Sequence, residues 1–289
     1  MSIPSAPSTT ITTVQVPDST PKAKKTLPVR QFHIPRSSDP SDILAIQITE
    51  PALRADNLVL ETWASSSILA AELRNLPITF PATADFPPPS SSPASTASAI
   101  PILELGAGTG LVGLAASLVY AQPVVLTDLP PIVPGLQANI AINAALLSPS
   151  APVSAGVLDW TAPSTLTVHT PDDAQPATAT QTYDVQQSKA HVILAADTLY
   201  SEEHPELLSR TVGTWLARDP EARFVMGTAL RVAYLDELRE LWGKLEGVGL
   251  ECVREGKGMA SEVDFDDERL VEWSFWRWRG DVLQAKEGR

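Results

Sequence analysis

The chain has 289 residues, 44% of them hydrophobic, enough for one large α/β domain with its own core plus extensions. Its net charge of −13 is uneven: residues 101–200 sum to −6 with Lys189 the only basic residue, so this segment cannot neutralise many phosphates and no nucleic-acid partner is expected. A single cysteine, Cys252, excludes an internal disulfide and fits a reducing, cytoplasmic setting, while four scattered histidines and no long apolar run give no reason to expect a metal or a membrane span.

Residues 1–27 are rich in Ser, Thr and Pro and read as a disordered tail. No apolar stretch there makes a secretory signal, and Pro4, Pro7, Pro17 and Pro21 oppose the amphipathic helix of a transit peptide. Residues 28–60 read as an N-terminal extension of short strands. The main domain is expected over 61–280, opening with a helix at Thr62–Leu76 whose apolar face carries Trp63, Ile68, Leu69, Leu73 and Leu76. Within it, residues 77–99 read as a low-complexity insertion.

From Ile100 onward strands and helices alternate. Strands are predicted at Ile100–Leu105, Pro123–Thr127, Val153–Leu158, His191–Ala196 and Arg223–Thr228. Helices are predicted at Leu111–Tyr120, Pro131–Leu147, Pro205–Ala217 and Val232–Leu245; residues 161–182 read as polar and irregular. Strands at Leu250–Arg254 and Leu270–Arg279 have only a loop between them and should pair antiparallel. Alternation puts Trp276 and Trp278 of the final strand on one face and Trp273 and Phe275 on the other, as core. Residues 281–289 read as a tail. The pattern predicts a doubly wound, mostly parallel α/β sheet.

The most informative stretch is 101–110, Pro-Ile-Leu-Glu-Leu-Gly-Ala-Gly-Thr-Gly. A buried strand carrying Glu104 runs into Gly106, Gly108 and Gly110, and a helix follows at once. Glycines there allow positive φ and close approach of a ligand. Gly108, Gly110 and Gly113 also satisfy G-x-G-x-x-G, and Asp128 lies 20 residues past Gly108, so the loop alone is compatible with a dinucleotide. Glu104 would repel a pyrophosphate and suits a cationic ligand, which favours S-adenosylmethionine.

Ligands of such sheets bind beyond the carboxyl ends of the strands. Four strand ends here carry chemistry: the glycine loop, Asp128, Asp159-Trp160 and Asp197. A nucleoside fits this layout, with Asp128 accepting ribose hydroxyls, Asp159 the exocyclic amine of adenine, and Trp160 walling the base.

These segments (Leu-Glu-Leu-Gly-Ala-Gly-Thr-Gly, Leu-Thr-Asp-Leu-Pro at 126–130, Leu-Asp-Trp at 158–160 and Ala-Ala-Asp-Thr-Leu-Tyr at 195–200) resemble the seven-strand S-adenosylmethionine-dependent methyltransferases, and within them the family 16 protein-lysine methyltransferases. Glu-Thr-Trp at 61–63 resembles that family's cofactor-contacting Trp segment. A finer resemblance, carried by 127–133, 158–161 and 200–208 with a small addition from Arg-Val-Ala-Tyr…Leu-Trp at 231–242, is to the fungal enzymes that methylate a lysine of elongation factor 2. The resemblance implies a Rossmann-like sheet of seven strands with an antiparallel last strand, S-adenosyl-L-methionine as cofactor, and a protein substrate, with the enzyme a monomer. It implies Asp197 and Tyr200 as catalytic residues. Trp63, Glu104, Gly106, Ala107, Gly108, Gly110, Asp128, Leu129, Asp159, Trp160 and Ala196 are implied at the cofactor. The chain departs from the family at 186–191, which separate Tyr183-Asp184-Val185 from the strand they usually join. An NAD-dependent oxidoreductase and a non-catalytic cofactor-binding scaffold are the alternatives.

Overall fold

The structure, a computed structural model, describes residues 9–13, 28–50, 54–55, 58–59, 61–81, 100–170, 179–265 and 268–284. Most of the low-complexity insertion, the rest of the N-terminal tail and the last five residues lie outside them.

Strand β1 (Thr9–Thr13) pairs antiparallel with β2 (Pro28–Pro35), and β2 with β3 (Ile43–Thr49), so a strand forms within the stretch expected to be a disordered tail. β4 (Arg54–Ala55) and β5 (Leu58–Val59) make a two-residue ladder. Helix α1 (Ala64–Glu72) starts two residues later than expected. Thr62 is held by other partners: its N–H donates to Glu50 Oε1 at 2.9 Å and its hydroxyl meets that of Thr109 at 2.9 Å.

The main domain then runs β6 (Ile100–Leu105), α2 (Leu111–Tyr120), β7 (Val124–Asp128), α3 (Val133–Ile142), β8 (Val153–Val157), β9 (Thr165–Thr170), β10 (Ala179–Asp184) and β11 (Ala190–Ala196). It ends with α4 (His204–Trp215), β12 (Arg223–Ala229), α5 (Leu235–Gly247), β13 (Leu250–Met259), β14 (Leu270–Trp278) and α6 (Gly280–Gln284). Residues 280–284, expected within or beside a tail, are thus helical. Helix α3 stops at Ile142, short of the expected Leu147, where Asn143 turns its side chain to the N-terminal hairpin.

The sheet order is β10-β9-β8-β7-β6-β11-β12-β14-β13. β6, β7, β8, β11 and β12 are parallel, and β14 lies antiparallel between β12 and β13, as the short connection required. Among the described residues the sheet has nine strands, the seven expected plus the hairpin β9–β10, which extends the β8 edge. That hairpin occupies the stretch expected to be irregular. Its Leu166 and Val168, alternating with threonines, are buried. It also accounts for the departure at 186–191. Tyr183 and Asp184 end β10, and Asp184 closes the turn into β11 by accepting from Gln186 N (to Oδ1, 2.7 Å) and Ser188 N (to its carbonyl, 2.8 Å).

Two cores form on the two sheet faces. Ile102, Leu126, Leu194 and Val225 pack with α1, α2, α3 and the N-terminal hairpin. Leu103, Val125, Ile193 and Phe224 pack with α4 and α5. β14 obeys the same alternation: Trp273 and Phe275 join the first core, Trp276 and Trp278 the second. The Trp276 indole donates to Ser274 Oγ (2.9 Å) and that of Trp278 to the Ala217 carbonyl (2.6 Å), so each buried N–H is satisfied. β6 has β7 on one side and β11 on the other. The chain winds outward from it in both directions, which opens a crevice at the carboxyl ends of these strands.

Candidate active site

The crevice holds a cavity of about 510 Å³. Its wall includes Trp63, Gly106, Ala107, Gly108, Asp128, Leu129, Asp159, Trp160, Ala196, Asp197 and Tyr200, so the separate segments singled out in the sequence converge there. Glu104 and Gly110 do not line it.

The glycine loop leaves β6 with Gly106, Gly108 and Gly110 all at positive φ (+60°, +57° and +83°). A Cβ on Gly106 would stand 3.0 Å from Thr198 Cγ2 and 3.2 Å from Trp160 Cζ2, so the bare backbone lets β11's exit and the Trp160 ring close on the loop. Asp128 ends β7 and accepts from Gly108 N (Oδ2, 2.8 Å) and Leu129 N (Oδ1, 2.7 Å), which sets its carboxylate against the loop. Gly110 instead caps α2, and a Cβ there would press on Leu126 and Leu136.

Glu104 is a correction to the charge argument made for it. It is 1% exposed, behind the loop, and Oε2 accepts the Gly113 N–H at 2.9 Å. Burial pushes its pKa up to about 8. The Gly113 hydrogen bond opposes that rise, and the Asp128 charge adds to it. A carboxyl that is mostly protonated at neutral pH and faces a helix start does not repel a phosphate. It ties the glycine loop to α2, at a point where only a glycine at 113 leaves room.

Asp159 is exposed and lies at the end of β8. Thr161 donates to its Oδ1 from Oγ1 (2.6 Å) and from N (2.7 Å), and these bonds lower its pKa. The neighbouring Trp160 is held by Arg210 of α4, whose guanidinium donates to the carbonyls of Trp160 (2.7 Å) and Thr161 (3.0 Å). His204, at the start of α4, packs edge-on against both Tyr200 (4.2 Å between centroids) and Trp160 (5.7 Å). Its Nδ1 accepts the Tyr200 N–H at 3.4 Å.

Asp197 leaves β11 in the left-handed region (φ +58°), which Asp tolerates better than most residues. Its carboxylate receives a two-pronged ion pair from Arg231: Nη1 to Oδ1 and Nη2 to Oδ2, both 2.6 Å, with the side chains 11% and 2% exposed. The Arg231 Nε bonds Glu268, and its guanidinium lies 5.3 Å from the centroid of the Trp63 ring. Burial works against the Arg231 charge, but the bonds and charges of Asp197 and Glu268 outweigh it and hold its pKa above the ordinary value.

Sequence reasoning missed Arg231, Thr198, His204 and Glu61 as site residues. Arg231 lies 34 positions from Asp197, and nothing in its own neighbourhood signals the pairing. Thr198 sits inside the Asp-x-x-Tyr segment and could have been found there. It lines the cavity, is 3% exposed, and its hydroxyl has no hydrogen-bond partner among the described residues.

These features fit S-adenosylmethionine. A glycine cradle faces acidic acceptors, and no Lys or Arg is among the described lining residues to meet a pyrophosphate. Among the described residues no group of side chains could hold a metal ion, and no helix is long and apolar enough to cross a membrane.

The family described as "Lysine methyltransferase" matches residues 49–175. The chain is similar to the protein-lysine N-methyltransferase rrg1 of Schizosaccharomyces pombe, 30% identical over 83% of this chain and 69% of the relative. It is also similar to the protein-lysine N-methyltransferase EFM2 of Saccharomyces cerevisiae, 32% identical over 73% of this chain but only 46% of that protein. Among solved structures, a ribosomal protein L11 methylase of Lactobacillus delbrueckii subsp. bulgaricus is 12% identical, with 82% of this chain and 87% of that one covered, at a TM-score of 0.44. The relation to rrg1, together with the family match over the glycine loop, Asp128 and Asp159-Trp160, establishes that the chain belongs to the S-adenosylmethionine-dependent lysine methyltransferase family.

Proposed function

We propose that the protein methylates a lysine side chain of elongation factor 2, with Asp197 and Tyr200 at the acceptor amine. The carrying observation is that Asp197 and Tyr200 line the same cavity as the glycine loop, Asp128 and Asp159-Trp160. Similarity to EFM2 and the resemblance of 127–133, 158–161 and 200–208 to fungal elongation-factor enzymes support the substrate.

In this reading Trp63, Gly106, Ala107, Gly108, Asp128, Leu129, Asp159, Trp160 and Ala196 hold the cofactor. Glu104 and Gly110 act indirectly, by shaping the loop. When bound, S-adenosylmethionine supplies an electrophilic methyl group. The protein's own work is alignment and exclusion of water. A lysine ammonium, with a reference pKa near ~10.4, must first give up a proton, and water takes it. Asp197 anchors the amine by accepting one of its N–H bonds, and Tyr200 on the following turn helps to orient the lone pair.

Purified enzyme and radiolabelled cofactor added to a lysate of cells lacking the enzyme should label one protein band at the size of elongation factor 2, and cofactor alone should not. Asp197→Asn should abolish it, with a loss of about 100-fold or more, while calorimetric cofactor affinity stays within a few-fold. Label appearing only in small molecules would overturn the protein-substrate reading, and unchanged turnover in the variant would overturn the role of Asp197.

A further inference from the structure

A carboxylate next to a target lysine has a drawback. An unpaired Asp would stabilise the ammonium, raise its pKa by roughly 1–3 units and so reduce the reactive free-amine fraction. Asp197 is not unpaired. Both of its oxygens are bridged at 2.6 Å by Arg231, in a pair almost closed to solvent. An ionised carboxylate has about four acceptor positions. The Arg231 fork takes two of them, which leaves acceptor capacity on a carboxylate whose charge is offset by a paired guanidinium.

We propose that Arg231 is a positioning residue that neutralises Asp197, so that the carboxylate can hold the acceptor amine by a hydrogen bond without holding its proton. Arg231 is itself fixed by Glu268 on its far side and by the Trp63 ring. The other charged or titratable groups around the cavity are Glu61 before α1, Asp128 at the end of β7, Asp159 after β8, Tyr200 and Glu203 between β11 and α4, and His204 at the start of α4. None of them is substituted in the variants below, and the charge-keeping Arg231→Lys controls for any effect of the substitution on their titration. The inference rests on the lysine methyltransferase reading of the site.

The test is the single-turnover rate of label transfer from radiolabelled S-adenosylmethionine into lysate protein, measured from about pH 6.5 to 10, with calorimetric cofactor affinity measured alongside. For Arg231→Gln the rising limb should move to higher pH by about 1–2 units, which lowers the rate ~10–100-fold at neutral pH with a deficit that shrinks as the pH rises. Arg231→Lys keeps the charge and should keep the limb within a few tenths of a unit of wild type. A uniform loss at every pH, or a loss that follows cofactor affinity, would overturn the role assigned to Arg231. If Arg231→Gln does not fold, Glu268→Gln decides the matter: the Asp197–Arg231 pair is then left without the extra negative charge, and the limb should move to lower pH. An unmoved limb there would overturn the inference. Should the wild-type enzyme label no protein at any pH, the lysine methyltransferase reading itself fails, and the inference with it.

Discussion

Glu104 shows how far a residue's role depends on which way it points. The sequence placed a carboxylate two residues before the glycine loop, and its charge invited a ligand. The fold buries it against the Gly113 N–H and pushes its pKa to about 8. The folded pKa lies above the unfolded value of 4.5, so the native state binds this proton more tightly. The stability gained is fully present below about pH 4.5 and is lost as pH rises through about 8. At ~1.4 kcal/mol per unit, the shift corresponds to roughly 5 kcal/mol as an upper bound. In Glu104→Gln the amide carbonyl can still accept from Gly113. Its thermal midpoint should therefore decline less than that of wild type between pH 5 and pH 9, and parallel curves would show that Glu104 does not titrate in the folded protein. Asp197 and Tyr200 were picked out as a pair by the family resemblance of 195–200, but Arg231 was not. A guanidinium 34 residues away becomes a neighbour only through the adjacent β11 and β12 strands.

At the level of elements, the N-terminal hairpin is fixed to the domain by two asparagines four residues apart, Asn139 on α3 and Asn143 at its C-cap. Asn139 Oδ1 accepts from Thr49 N (2.8 Å) and Thr49 Oγ1 (2.6 Å), and its Nδ2 donates to the carbonyls of Thr49 and Thr109. Asn143 exchanges the same pair of bonds with the Gln47 backbone, at 2.9 and 2.7 Å. The two amides thus act as a substitute strand along the free edge of β3. Because Asn139 also reaches Thr109, the extension is coupled to the cofactor loop. Asn139→Ala leaves buried backbone groups of Thr49 and Thr109 without partners. It should cost about 2–4 kcal/mol in denaturant unfolding and remove hydrogen-exchange protection from β3 first. Full retention of that protection would refute the coupling. The hairpin itself was readable from short alternating runs. Its dock was not, because an asparagine in a helix pattern carries no sign of what its side chain will meet.

For the whole molecule, charge is the dominant feature. The net charge is −13, and Glu61, Asp128, Asp159, Asp197 and Glu203 line the cavity with no Lys or Arg among the described lining residues. Such a field, from the carboxylates other than the Arg231-paired Asp197, would favour a basic segment of a protein substrate. The second-order rate constant for a protein substrate should fall several-fold to about 10-fold between about 50 and about 500 mM salt, while calorimetric cofactor affinity changes much less. A salt-independent rate would argue against electrostatic capture of the substrate.

The sequence alone determined the order and type of the main elements, the strand-end carboxylates and the glycine loop. Each of these rests on local pattern: apolar alternation, helical periodicity, and glycines where φ must be positive. It could not tell that Thr165–Thr170 and Ala179–Asp184 would pair, since the strands of a hairpin with a long connection are joined by contacts rather than by a turn motif. Tertiary structure alone decided that Glu104 faces a helix start, that Asp197 is bridged by Arg231, and that the Thr198 hydroxyl is buried without a partner among the described residues. For Glu104 and Asp197 the deciding partner comes from another element, and only the packed sheet brings the two within hydrogen-bonding reach.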